Sequence, residues 1–419
     1  MYISLWLIYF FEFVWCQGTD VFEYSQRDLE AIADDVAKWI KEAKSSGSES
    51  MCLRTFVSRN SNILEATSHR EMLAIDFGGT SLKLGLYKIE ANQAKTTKEV
   101  KKIPIPKIET EEDRKNNGNM YEWIYNRIDE YLGDNYDVKL AGLTFSYPLR
   151  QESINSGKIL SLHKNFPFEW LSSDATDPVA SLNKIFEQKG RKIVIKALAN
   201  DTTATLMSLP LEDNSFSIGI VLGTGTNGAY FTSNQLNGSE AINTEWASFD
   251  SKSLKKTKYD ELIQDELIKK KQQWKCLDCM LGGYKFLEIL NKSSKDVLGK
   301  NTEYTLEFVK EIIRKENKES PEWKHVYQVK NRAAKIISAL VFGILKSENV
   351  NAKNNISLIL NGTILEQDFD RKLLKEQINE MKEYFNDGLY KDTSFNFYVP
   401  EEASLVGIIR ILTIARDNH

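Results

Sequence analysis

The chain has 419 residues, of which 42% are hydrophobic, 11% aromatic and 27% charged. That balance belongs to a globular protein and excludes a disordered chain, a collagen-like fibre and a polytopic membrane protein. Lys+Arg 55 against Asp+Glu 59 gives a net charge of −4, which argues against a generally basic nucleic-acid binder. Four His and four Cys cannot form a disulfide framework, and one CxxC is the only metal-like spacing among them. The chemistry must therefore rest on carboxylates, hydroxyls, amides and backbone. At about 150 residues per domain the length predicts two or three domains.

In chain order, Leu5 to Trp15 is apolar except for Glu12. The run is too short to span a bilayer, which takes roughly 20 residues of helix. Its size fits the apolar core of a signal peptide, with cleavage after Gly18. No Lys or Arg precedes it, and Glu12 lies inside it, so a buried N-terminal helix is the alternative. The expectation is a secreted chain with residues 1–18 removed and no stable membrane span; the alternative is a cytoplasmic one. Leu29, Ile32, Val36 and Ile40 recur at helical spacing and predict an amphipathic helix over Tyr24–Lys44, ended by the Ser/Gly linker Ser45–Ser50.

From Met72 the pattern changes to strands. Met72–Asp76 and Leu82–Ile89 flank the turn Phe77-Gly78-Gly79-Thr80. A helix over Met120–Leu132, a strand over Lys139–Phe145 and a strand over Ile193–Leu198 follow. The hairpin theme then returns: Phe216–Leu222, the turn Gly223-Thr224-Gly225-Thr226-Asn227-Gly228, and Ala229–Phe231. Two strand, Gly/Thr turn, strand units predict a duplicated fold. Beyond Tyr259 the chain reads as mostly helical, with an apolar helix at Ile336–Lys346, strands at Ser357–Leu360 and Phe395–Val399, and a last helix at Ser404–Ala415. The charge-dense stretch Lys252–Lys275 reads as a solvated face.

A turn of Gly and Thr presents successive backbone N–H groups and hydroxyls to an anion such as phosphate. One such turn is common in any β-protein. Two, the first led by Asp76 and followed by Lys83, point to phosphate chemistry, with Asp76 able to hold Mg²⁺ through water. Neither GxxxxGK[ST] nor GxGxxG is present, so a P-loop or Rossmann site is not supported.

These residues resemble the eukaryotic-type, yeast-like hexokinase and glucokinase family. LAIDFGGTSLKLGLYK (73–88) resembles its first phosphate motif and TFSYPLRQESINSGKILSLHKNF (144–166) its sugar signature. ALANDTTATLM (197–207) resembles the segment with the catalytic Asp, IGIVLGTGTNGAYF (218–231) the second phosphate motif, and INTEWASFD (242–250) the second sugar loop. Order and spacing agree over about residues 24–415. The resemblance implies an α/β fold of the duplicated, actin-like ATPase (ribonuclease H-like) type, with two domains closing on a cleft. It implies an N-terminal helix and linker (19–60) on the large domain, a small domain (61–201, rejoined by helix 404–419) and a large domain (202–403). The implied activity is transfer of the γ-phosphoryl of ATP, with Mg²⁺, to the 6-hydroxyl of glucose or a related hexose, the first step of glycolysis.

Residue by residue, the resemblance makes Asp201 the general base, which accepts the proton of the attacking hydroxyl. Read alone, an Asp before Thr-Thr is a helix cap. Ser146, His163, Lys164, Asn200, Asp201, Asn227, Glu245 and Asp278 fall at sugar-binding positions. Asp76, Gly78, Gly79, Thr80, Ser81, Lys83, Thr224, Gly225, Thr226, Gly362, Thr363 and Ser404 fall at nucleotide-binding positions, with Asp76 the metal candidate.

Several positions depart from the family. Ser81 replaces Asn, and Lys83 replaces Arg, exchanging a forked donor for a point charge. His163 stands where Thr precedes the sugar lysine. Asp278 stands where a longer Glu is usual, with two extra residues after Gln273. Cys276 and Cys279 flank it and read as small apolar helix residues. At the adenosine end, Asn361-Gly362-Thr363 replaces Asp-Gly-Ser. Ala403-Ser404-Leu405-Val406-Gly407 replaces a glycine-rich run, so Ala403 and Leu405 are expected to crowd the nucleotide. A second reading is thus a hexose-binding protein that is catalytically weak or inactive. Asn200 also lies in an N-x-T sequon, in conflict with a sugar-facing role if the chain is secreted and glycosylated there.

Overall fold

The computed structural model describes residues 20–47, 51–59, 70–91, 93–108, 110–134, 137–162, 166–172, 175–210, 215–233, 239–270, 272, 274–283 and 285–415. The expectations for residues 1–18, His163 and Lys164 lie outside the described residues. Strand β1 (Leu53–Ser58) precedes the first predicted hairpin, β2 (Met72–Phe77) and β3 (Ser81–Glu90), and β4 (Gln93–Pro104) extends it. β5 (Leu140–Phe145), the small ribbon β6 (Leu149–Ser153) and β7 (Ser156–Ile159), and β8 (Val194–Ala199) follow. The second half supplies β9 (Ser215–Leu222), β10 (Thr226–Phe231), β11 (Glu240–Asn243), β12 (Asn355–Asn361) and β13 (Phe395–Tyr398).

Two sheets result, ordered β4-β3-β2-β5-β8 and β1-β11-β10-β9-β12-β13. In each, an antiparallel meander of three strands is followed by two parallel strands. The second sheet repeats the first and adds β1 at its edge. This is the duplication that the two Gly/Thr hairpins predict. The central strands β2 and β9 are buried on both faces, β9 with the small residues Ser215, Ser217 and Gly219 on one of them, as strands covered on both sides are.

The last strand of each repeat runs into a helix, Asp201–Met207 after β8 and Ala403–Ala415 after β13. The two helices cross between the sheets, in a core shared by Ala204, Leu206, Leu405, Ile408 and residues of both sheets. Their approach is close: a Cβ on Gly407 would stand 1.7 Å from the Ala204 carbonyl oxygen. Only glycine tolerates that crossing, which brings both helix starts to the same side of the molecule.

The amphipathic helix forms over Gln26–Ser46, with a Ser25/Asp28 capping box and Gly47 left-handed at its end. Its buried stripe, Leu29, Ile32, Val36 and Ile40, packs on helix Pro321–Ser347. Gly343 permits the contact, since a Cβ there would meet Val36 at 2.6 Å. Lys346–Asp34 and Lys44–Glu348 ion pairs tie it further. The sequence expectation of a helix over Ile336–Lys346 captured only its apolar end. The helix starts at Pro321, capped by Ser320, and its first half buries Lys330, Asn331 and Arg332. Arg332 pairs with Asp260 at 2.7 Å and Lys330 with Asp370 at 2.8 Å, so charge hid a buried face. Among the described residues no helix is long and apolar enough to cross a membrane.

Candidate active site

Asp201 opens its helix because Asn200 caps it: Asn200 Oδ1 accepts the Thr202 N–H at 2.9 Å. Ser146, just past β5, donates its hydroxyl to Asp201 Oδ2 at 2.8 Å, and Thr202 Oγ1 donates to Oδ1 at 3.2 Å. Burial raises the Asp201 pKa, the Ser146 hydrogen bond opposes the rise, and the nearby Glu245 charge adds to it. A carboxylate held in this way has its proton affinity moved toward that of a working base.

A chain of amides leads from Asp201 across the second sheet. Asn227 Nδ2 donates to Asn243 Oδ1 at 2.8 Å and to Asn200 Oδ1 at 3.4 Å. Asn243 Nδ2 donates to Glu245 Oε1 at 3.0 Å. Lys275 Nζ donates to Glu245 Oε2, also at 3.0 Å. Glu245 is buried and adopts a left-handed backbone, φ +54°. Five of the residues at sugar positions, Ser146, Asn200, Asp201, Asn227 and Glu245, thus stand in one linked cluster of alternating donors and acceptors. Such an array suits a polyhydroxylated ligand. Asn200 is buried with its side chain committed as a cap, so a glycan there is incompatible with the folded chain.

Asp278 lies on the short helix Cys276–Leu281 and faces the second Gly/Thr turn. Its Oδ1 accepts the Thr226 N–H at 2.8 Å. Burial pushes its pKa up to about 6, partly offset by Lys275. Gly225 leaves room for it, as a Cβ there would lie 2.6 Å from Asp278 Oδ1. Gly283 N–H donates to the Gly223 carbonyl at 2.7 Å, and Ile364 N–H to the Leu222 carbonyl at 3.2 Å. Gly362, at φ +104°, closes over Leu222 and Gly223 where any Cβ would clash, and Thr363 adjoins Gly223. Thr224 is exposed at the tip, and Trp246 Nε1 donates to Thr226 Oγ1 at 3.0 Å.

The first turn is built differently. Gly78 N–H donates to the Ser81 carbonyl at 3.0 Å, and Gly79 and Thr80 are exposed. Asp76, at the end of β2, is buried; its Oδ2 accepts from Ser404 Oγ at 2.6 Å. Its Oδ1 is buried with no hydrogen-bond partner among the described residues. Burial pushes the Asp76 pKa up to about 6, with Asp201 adding to the rise. Lys83 pairs with Glu402 Oε2 at 2.7 Å. Burial alone would lower the Lys83 pKa, but the Glu402 carboxylate outweighs it and the value is raised.

Two sequence expectations are corrected. Leu405 and Ala403 do not crowd a nucleotide: both side chains are buried, and Leu405 lies in the core between the sheets, because Gly407 draws its helix onto Ala204. The stretch Lys252–Lys275 is not simply a solvated face. Asp260 is buried against Arg332, and Lys275 is in the cluster, paired to Glu245. Cys276 and Cys279 are buried free thiols in the core. Among the described residues no group of three or more His, Cys, Asp and Glu is placed to hold a metal. Sequence reasoning missed Asn243, Lys275 and Glu402. Asn243 lies within the second sugar loop; Lys275 and Glu402 carry no local signal.

A family model described as hexokinase matches residues 17–210, and a second one, also described as hexokinase, matches residues 217–293. "Hexokinase-7" of Oryza sativa subsp. japonica is 28% identical over 261 residues, 58% of this chain and 54% of that protein. A hexokinase of Kluyveromyces lactis is 32% identical over 239 residues, 52% of this chain and 48% of that protein. The chain thus spans about half the length of the curated relatives it matches. A solved hexokinase from Schistosoma mansoni, complexed with glucose, shares the fold with a TM-score of 0.73 at 20% identity, covering 96% of this chain and 98% of that one. With the two hexokinase models together spanning most of residues 17–293 and the same two-domain, actin-like arrangement in the solved neighbour, the chain belongs to the hexokinase family.

Proposed function

We propose that this protein transfers the γ-phosphoryl of MgATP to the 6-hydroxyl of glucose or a related hexose. The observation that carries this reading is Asp201. Its Oδ2 accepts from Ser146 at 2.8 Å, its neighbour Asn200 is joined through Asn227 and Asn243 to Glu245, and Asp76, at the foot of the first Gly/Thr turn, lies within electrostatic reach. In this reading Asp201 Oδ accepts the hydroxyl proton as the oxygen attacks phosphorus, and Ser146 and Thr202 keep the carboxylate aimed. Exposed N–H groups and hydroxyls of Thr80 and Thr224 orient the phosphate oxygens, and positioning and charge neutralisation supply most of the rate. The partnerless buried Oδ1 of Asp76 fits a Mg²⁺ ion held through its waters, since Mg²⁺ is usually bound by one or two carboxylates plus substrate phosphates. When bound, that ion would neutralise charge on the transferring phosphoryl group.

A coupled assay with glucose and MgATP tests the reading. Asp201→Ala should lower kcat by about 10²- to 10⁴-fold while calorimetry still registers glucose. Equal rates in the two proteins would sink the assignment of the base. Glucose binding without turnover at any ATP concentration would instead establish the non-catalytic reading, which the Lys83–Glu402 pair favours because it occupies the first turn's cation. Closure of the two domains on the hexose should appear as a smaller radius of gyration in small-angle scattering; no change would count against a closing cleft. We further propose that residues 1–18 direct secretion and are cleaved, which N-terminal sequencing of the natural protein checks; a retained Met1 would favour the cytoplasm.

A further inference from the structure

Two residues that break local rules meet in the sugar cluster. Glu245 holds a left-handed backbone, φ +54°, although it is not glycine. Such a conformation costs free energy and persists where the surroundings enforce it. Lys275 occupies the cap position of helix Cys276–Leu281 and makes no side-chain cap. A cation is electrostatically unfavourable at a helix start, and lysine is no capping residue. The side chain is nevertheless folded inward, 21% exposed, to reach Glu245 at 3.0 Å. Local preference does not account for either residue. Their side chains meet each other, and departures of this kind concentrate at functional sites.

The chemistry of the contact narrows what it does. Of the two Glu245 oxygens, one accepts from Asn243 and the other from Lys275. An ammonium has three N–H donors, and this pairing uses one. Lys275 also lies within electrostatic reach of Asp278 and Asp201. A sugar hydroxyl is both donor and acceptor. Set against this pair, it donates to the carboxylate and accepts from the ammonium at once, so the ion pair reads one hydroxyl in both directions. A carboxylate alone reads only its proton.

We propose that Lys275 is a specificity-determining residue of the hexose pocket, donating to the oxygen of one ring hydroxyl whose proton Glu245 accepts. The inference rests on the hexose-kinase reading above and deepens it. The test is a calorimetric titration of the full chain with glucose and its 1-, 2-, 3- and 4-deoxy forms, for the unchanged protein, Lys275→Met and Lys275→Arg. Glucose phosphorylation is followed in parallel.

Lys275→Met should weaken glucose binding about 10- to 100-fold, the range a hydrogen bond to a charged group supplies. The KM for MgATP should stay within about twofold, as expected when only ground-state sugar binding is lost. One deoxy form should bind the unchanged protein far more weakly than glucose, and that one discrimination should collapse in Lys275→Met while the others persist. Lys275→Arg, which keeps the charge, should restore part of it. A purely structural role would weaken all five sugars by the same factor, and that result overturns the proposal, as does unaltered glucose affinity in Lys275→Met. If the unchanged protein neither binds nor phosphorylates any of the sugars, the hexose reading itself fails and the proposal falls with it.

Discussion

The two Gly/Thr turns read alike in sequence and are held in opposite ways. The second turn is braced at its tip from behind: Asp278 takes the Thr226 N–H, Gly283 takes the Gly223 carbonyl, and Gly362 closes over Leu222. The first has an open tip, Gly79 and Thr80, with no atom within 4 Å of a Cβ placed on Gly79. Ile105 N–H holds the Thr80 carbonyl at 3.0 Å, and at the base Ser404 holds Asp76 and Glu402 holds Lys83. Both of those partners come from the segment that starts the last helix. In the proposed reading, the turn backed by the Cys276–Leu281 helix is the more preorganised for phosphate, and the more open first turn is the freer to move. Duplication of a fold therefore does not duplicate the mechanics of its loops.

The sharpest way to break this comparison is to add one methyl group to each turn. Gly225→Ala should drive Asp278 off the Thr226 N–H, lose about 1–3 kcal/mol of stability and raise the KM for MgATP. Gly79→Ala should change stability by no more than about 0.5 kcal/mol, since the site is open. Denaturant melts of both variants check the pair, and equal losses would show that the second turn is not braced.

A smaller effect probes the brace itself. Folded Asp278 keeps its proton up to about 6, against an ordinary value of 3.8. Between those values the folded state binds more protons than the unfolded one, so its contribution to stability falls as pH rises through that window. Asp278→Asn keeps an oxygen for the Thr226 N–H and removes the titration. It should match the unchanged protein below pH ~4 and exceed it by about 1–3 kcal/mol above pH ~6. A parallel pH dependence for the two proteins would contradict the burial argument.

The smallest effect concerns the base of the first turn. The Lys83–Glu402 side chains are 21% and 36% exposed. Glu402→Gln should therefore alter stability by less than about 1 kcal/mol. It should nevertheless lower the KM for MgATP by releasing Lys83 toward phosphate. A raised KM would mean that Glu402 positions Lys83 rather than competing for it.

Much of the site was legible because its signals are short-range. A helix start at Asn200-Asp201-Thr202 needs only a cap and the residues after it; it forms one residue off the reading, with Asn200 rather than Asp201 as the cap. The hairpins formed within a residue of their expected bounds, except that β10 starts at Thr226, three residues before the expected Ala229, because Gly-rich turns between apolar runs dictate them locally. Leu405 was misread because a family pattern says which residue is present, not which face of the helix it joins. Lys275 was misread because a lysine in a charged stretch is usually solvated, and Glu245 lies 30 residues upstream. The first half of helix Pro321–Ser347 was missed for the same reason, its charges being buried in pairs.

By itself the sequence determined the repeated hairpins, a helix start near Asp201 and membership signals spread in order along the chain. These depend on backbone freedom at glycine, capping and apolar periodicity, all of which act over a few residues. The tertiary structure alone decided which carboxylates are held and by what. Ser404 reaches Asp76 across 328 residues of chain, Glu402 reaches Lys83 across 319, and Lys275 turns inward to Glu245. An ion pair leaves no periodic trace in sequence, since its two halves need share nothing but opposite charge and a place in the folded cleft.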